Sequence, residues 1–255
     1  MPDLRRLRVG IAAAAAAIVG AALVDAAHTP HADAAPADIA GMIVFLDPGQ
    51  NGANDASIAR QVPDGRGGTK DCETSGSTTN DGYPEHSFTW EVALRIRSLL
   101  NQLGVRTAMS RGTDDALGPC VDERAAMANT LHPDAIVSIH ADGGPPSGRG
   151  FNVNYSAPPL NQAQAGPAVQ FARIMRDQLR ASGIPPANYI GQDGLYGHAD
   201  LAELNLARYP AILVELGNMK NPADDALITT PDGRQKYAAA VVNGITGFLG
   251  QTKSA

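Results

Sequence analysis

Residues Met42 to Gly52 read "MIVFLDPGQNG", an apolar run that closes on an aspartate and breaks at once into Pro-Gly. β-Branched and aromatic letters stopped by Pro and Gly specify a buried strand that ends in a turn. The same grammar recurs in "VRTAMS", "AIVSIH", "GFNVNYS" and "AILVEL". Between these runs lie "EHSFTWEVALRIRSLLNQLG", "VDERAAMANTL", "GPAVQFARIMRDQLRASG" and "GRQKYAAAVVNGITGFL". Their apolar letters return every three or four positions, the period of a helix with one buried face. Strands alternating with helices specify an α/β domain, a mostly parallel twisted sheet with helices on both faces.

The chain has 255 residues, 44% of them hydrophobic, enough to bury the core of one catalytic-sized domain. A net charge of -6 and the lack of any Lys/Arg block argue against nucleic acid as a partner, because phosphate binding needs concentrated positive charge. At the N-terminus, Arg5, Arg6 and Arg8 precede "VGIAAAAAAIVGAALV", and small residues follow in "DAAHTPHADAAPADIAG". Basic, then apolar, then small is the order of a secretory signal peptide, here residues 1–35, with Ala32-Asp33-Ala34 or Val24-Asp25-Ala26 as the cleavage motif. This order predicts export to the periplasm or cell envelope, with His28 and His31 leaving with the signal and residues 36–255 forming the domain. An Ala-dominated run of this length spans a bilayer poorly, and the mature form has no other spanning run. Cys72 and Cys120, the only cysteines, are expected to form one disulfide in that oxidising compartment. Without CxxC-type neighbours they make a poor zinc site. No apolar surface stripe suggests association, so a monomer is expected.

One segment departs from the alternation. Gln61 to Pro84 is a long polar stretch rich in Gly, Ser and Thr that contains Cys72. Long loops without structure of their own are usually functional, and this one reads as a flap beside the active site, tethered by the disulfide. A plain surface excursion is the alternative.

Chemistry-bearing residues fall at the ends of strands. Gln50 follows "IVFLD", His140 ends "AIVSIH", Glu215 ends "AILVE", and Glu85 opens the helix after the long loop. In an open parallel sheet, catalytic groups gather beyond the carboxyl ends of the strands. A single His or Glu in such a place is more often a hydrogen-bonded structural residue; the convergence of several carries the signal. A hydrolytic zinc site needs three protein ligands, a water in the fourth position and a free carboxylate to move the proton.

With these motifs the chain resembles the zinc-dependent N-acetylmuramoyl-L-alanine amidases of the single-domain mycobacterial type, whose catalytic domain opens on a "DPGHGG"-like motif. The resemblance rests on "FLDPGQNG", on Glu85, on "SIHADG" from Ser138 and on "YPAILVELGNMKNPADDALI" from Tyr209, with "AMSRGTDDAL" and "DERAAMAN" in support. It runs from about Met42 to Leu249. It implies a sheet of about six strands, cleavage of the amide between muramic acid and L-alanine of the peptidoglycan stem peptide, and zinc held by Glu85, His140 and the position of Gln50. It also implies that Glu215 is the catalytic carboxylate and that peptidoglycan or muramoyl-peptide fragments are the partner.

Gln50 departs from the family pattern. A neutral amide oxygen is not among zinc's usual donors, so replacing an imidazole there should cost more than about 100-fold in affinity and lower activity. An introduced silencing substitution, a natural variant that still uses metal, and an inactive protein that binds peptidoglycan fragments on the same fold all remain open. Of the other histidines, His86 follows Glu85 but points about 100° away on a helix. His132 sits in a helix-to-strand turn and reads as structural. His198, in "LYGHADLAELN", is the candidate for a rescuing donor.

Overall fold

The Met42 stretch folds as strand β1 (Ile43–Pro48), an inner strand of a six-stranded sheet, in a computed structural model that describes residues 39–252. The signal-peptide reading, on residues 1–35, lies outside the described residues. The other strands of the sheet are β4 (Arg106–Met109), β5 (Ala135–Asp142), β6 (Asn152–Ser156), β7 (Leu195–His198) and β8 (Ala211–Asn218). Their order is β4-β1-β5-β8-β6-β7. The first four run parallel, β6 is antiparallel to β8, and β7 is parallel to β6.

Side chains alternate between the faces of a strand, so the inner strands divide their residues between two layers. Val44, Leu46, Val137, Ile139, Ile212 and Val214 face a large core beneath α1 (Glu85–Gln102), α4 (Pro167–Ala181) and α7 (Pro231–Thr252). Phe88, Phe171, Tyr237 and Phe248 fill it, all fully buried. The other face carries Phe45, Ile136, Ala211 and Leu213, packed on Ala128 of α2 (Val121–Thr130) and Leu204 of α5 (Ala202–Leu206). This layer is thinner and stops short of the carboxyl ends of the strands. The cross-strand rows on that face run from Phe45–Ile136–Ala211, through Asp47–Ser138–Leu213, to His140–Glu215. Apolar rows therefore give way to polar ones along the strands, and the site lies where the change occurs.

The long polar segment is not structureless, as its composition suggested. It forms a two-stranded antiparallel ribbon, β2 (Gln61–Pro63) with β3 (Thr69–Asp71). The Cys72–Cys120 disulfide ties this ribbon to the start of α2, and Val121 N donates to Cys72 O at 2.9 Å. Arg66, in the turn of the ribbon, donates to Asn205 Oδ1 at 3.1 Å, Ser156 Oγ at 2.9 Å and Pro158 O at 2.7 Å. The ribbon is thus fastened at its turn and at its base. β7 was also not read from the sequence, because "LYGH" is short and contains glycine. Two further short helices, α3 (Gln162–Ala165) and α6 (Pro222–Ile228), flank β6 and follow β8.

Candidate active site

The turn after β1 is built around Arg124, whose side chain is 2% exposed. Its guanidinium donates to Asp47 Oδ1 at 2.7 Å, Pro48 O at 2.9 Å, Gln50 O at 3.1 Å and Asn51 Oδ1 at 2.7 Å. It also pairs with Glu73 Oε2 at 3.2 Å, so helix, turn and flap meet on one cation. Burial, the largest influence, would raise the Asp47 carboxyl, but the Arg124 charge together with hydrogen bonds from Ser110 and Arg124 outweighs it and holds the group below its ordinary value. From the other side, Arg111 Nε donates to Pro48 O at 3.1 Å and Thr89 Oγ1 donates to Gly49 O at 2.8 Å.

This grip fixes an unusual backbone. Gln50 has φ +67°, the left-handed region, which costs a non-glycine residue roughly 1–3 kcal/mol and concentrates at functional sites. Gly49 beside it must lack a side chain, since a Cβ there would meet the His140 ring at 2.2 Å.

The structure brings all four sequence-derived residues together. Glu85, at the first position of α1, has its Oε1 3.0 Å from His140 Nδ1 and accepts from Ala141 N at 3.3 Å. Its Oε2 accepts from Ser77 N of the flap at 2.8 Å. Gln50 Nε2 donates to Glu85 Oε1 at 3.5 Å, and Thr74 Oγ1 donates to Gln50 Oε1 at 3.0 Å. Glu215 stands directly across from His140 in the β5–β8 register. A cavity of about 200 Å³ opens on Gln50, Thr74, His140, Glu203 and Glu215.

Charge is concentrated here under little solvent. Burial works against a charged His140, but the hydrogen bond and charge of Glu85, with the charges of Glu215 and Glu203, push the imidazole up to about 10. Burial pushes the Glu215 carboxyl up to about 8, with His140 opposing. Glu215 Oε2 is buried without a hydrogen-bond partner among the described residues.

The remaining histidines are elsewhere. His86 Nδ1 lies 2.9 Å from Asp114 Oδ1, which also accepts from Arg111 at 3.1 Å, and so braces the start of α1. His132 contacts the Tyr209 hydroxyl in a turn. His198 stacks on Tyr196 at 4.3 Å between ring centroids. It pairs with Ser156, at the opposite end of β6 from Asn152, which faces Glu215. The structure therefore does not bring His198 to the site as a donor.

The zinc set implied by the resemblance does not fit these residues. His140 and Glu85 supply proper donors, but the third position presents a neutral amide, whose oxygen is not among zinc's usual donors and whose nitrogen donates to Glu85. Among the described residues no group of three or more His, Cys, Asp or Glu side chains is arranged to hold a metal ion. Sequence reasoning missed Thr74, Arg124 and Glu203. Only Arg124 left a trace, as a cation within the otherwise helical "DERAAMAN".

Comparison with known proteins places the geometry in context. Residues 44–247 match the family model described as N-acetylmuramoyl-L-alanine amidase. An N-acetylmuramoyl-L-alanine amidase of Mycobacterium tuberculosis is 75% identical over 227 residues, covering 88% of this chain and 94% of the relative. The crystal structure of the Mycobacterium smegmatis N-acetylmuramyl-L-alanine amidase superposes with a TM-score of 0.84 at 73% identity, covering 84% of this chain and 99% of that one. The apo form of the Mycobacterium abscessus enzyme gives 0.82 at 64% identity, covering 83% and 100%.

Proposed function

Starting from the fact that this chain belongs to the N-acetylmuramoyl-L-alanine amidase family, we propose that it hydrolyses the amide between the lactyl group of N-acetylmuramic acid and L-alanine of the stem peptide, with Glu215 as the base. The chain is an amidase that acts on peptidoglycan. The observation that carries the assignment of roles is the His140–Glu215 pair, adjacent in register and opening on one cavity with Glu85 and Gln50 behind it.

In the proposed reaction, Glu215 Oε2 takes a proton from the water that adds to the carbonyl carbon. Its lack of a partner leaves that oxygen available, and because burial pushes the carboxyl up to about 8, the reacting form is the ionised fraction, which grows as pH rises toward that value. Glu85 orients the His140 ring through Nδ1, leaving Nε2 to meet the substrate side. Gln50, in the position of the first ligand, lowers activity because a neutral amide oxygen is a poor donor where an imidazole is expected. The enzyme acts outside the cytoplasm, where peptidoglycan lies, and does so as a monomer.

Incubation with a muramoyl-peptide tests the reading. Free stem peptide with a new N-terminal alanine should appear, and Glu215→Gln should cut its release by about 100-fold, the usual contribution of a positioned proton carrier, while the protein remains folded. Absence of stem peptide with every preparation would sink the assignment. Sedimentation as a dimer would refute the monomer.

A further inference from the structure

Glu203 is a half-buried acid of the same cleft that the reaction above leaves unused. Asp47 and Glu73 each pair with Arg124. Glu203 has no comparable partner: its Oε2 is buried and makes no hydrogen bond among the described residues. The nearest flexible cation of the cavity wall, Lys70, donates instead to Asp200 O at 2.9 Å. An unsatisfied buried polar oxygen is costly, and such groups in a native fold call for an explanation, a catalytic role among them.

The residue is also held still. Leu204 packs into the sheet face against Phe45, Ile136 and Leu213. Gln164 Nε2 donates to the carbonyls of Leu204, Asn205 and Ala207 at 3.1, 3.0 and 3.0 Å, and Asn205 Nδ2 donates to Ala199 O at 2.7 Å and Asp64 O at 2.9 Å. The backbone that carries Glu203 in α5 is thus fixed, and its carboxyl lines the cavity beside Glu215 and His140.

We propose that Glu203 is a second catalytic residue of this chain, the acid that protonates the departing amine while Glu215 receives the proton of the attacking water. The inference rests on the amidase reading. One O–H bond of water breaks, its proton goes to Glu215, and the oxygen joins the carbonyl carbon. The C–N bond then breaks as the nitrogen takes the Glu203 proton, releasing the lactyl acid and the free amine. Solvent carries the proton held by Glu215 back to Glu203, so water is the only reagent consumed. Burial, the largest influence on Glu203, pushes its carboxyl up, opposed by His140, as it does for Glu215, so the division of roles rests on position in the cleft.

The test compares two leaving groups on the full mature chain: the natural alanyl amide, whose amine must be protonated, and an activated aryl ester of the same lactyl carboxyl, whose aryl oxide leaves unprotonated. Glu203→Gln keeps the shape of the side chain and removes the acid. It should lower kcat on the amide by about 100-fold with KM within about twofold, and leave ester hydrolysis within about threefold of the parent. Glu215→Gln should impair both substrates. Parent-like amide cleavage by E203Q, or an equal loss on amide and ester, would overturn the role of Glu203 while leaving the amidase reading intact. A parent chain that releases no stem peptide would remove that reading and the Glu203 role with it.

Discussion

Replacing Gln50 by histidine is the most informative perturbation, because the surroundings already hold that residue in place. Arg124 and Arg111 fix the turn through backbone carbonyls, so the substitution leaves their bonds intact. Histidine is also among the residues enriched in the left-handed conformation that Gln50 adopts at φ +67°. In the Gln50 chain the only donor oxygen is a neutral amide that also accepts from Thr74 at 3.0 Å, leaving one lone pair for a metal. The poor ligand costs more than about 100-fold, or about 2.8 kcal/mol. This predicts that Gln50→His binds zinc at least about 100-fold more tightly. Without metal the variant should be about 1 kcal/mol less stable, since the Thr74 and Glu85 bonds to the amide are lost, a drop of about 2–4 °C in Tm. Zinc titration against a chromophoric chelator measures the affinity, and melting with zinc or with EDTA measures the linkage. Near-stoichiometric zinc in the parent, with the same zinc-induced rise in Tm as the variant, would refute the reasoning and make Gln50 an adequate ligand.

Three further outcomes are expected. Reduction of the Cys72–Cys120 bridge, which spans 48 residues, should cost about 4 kcal/mol and lower Tm by about 10 °C; unchanged melting after complete reduction would show that the bridge adds no stability. Arg124→Met leaves Asp47 and Glu73 buried without their cation and should destabilise by about 3–5 kcal/mol at neutral pH. The Asp47 value is lowered in the fold, so its contribution is full above about pH 3.9 and is lost as pH falls through the folded value; the parent should lose stability in that acid window and R124M should not, as urea midpoints across pH will show. Mass spectrometry of the exported protein should find a new N-terminus between about Ala27 and Asp38, and an intact Met1 in the envelope fraction would contradict processing.

Much of this protein is legible in its letters. Strands β1, β5 and β8 follow from β-branched runs stopped by turn residues, and α1, α2, α4 and α7 from their apolar period, because both signals are local. Gln50, His140 and Glu215 could be placed because strand ends in a parallel sheet share one edge. Glu85 could be placed because it opens a helix. Tertiary structure decided the rest. The two-stranded ribbon carries no apolar alternation, and β7 is four residues long. Arg124 meets Asp47 across 77 positions, Thr74 meets Gln50 across 24, and Gln164 holds the turn of Glu203 across 40 or more. A hydrogen bond leaves no mark on the sequence between its partners, so which polar residue is satisfied and which is left bare in the cleft is known only once the chain has closed on itself.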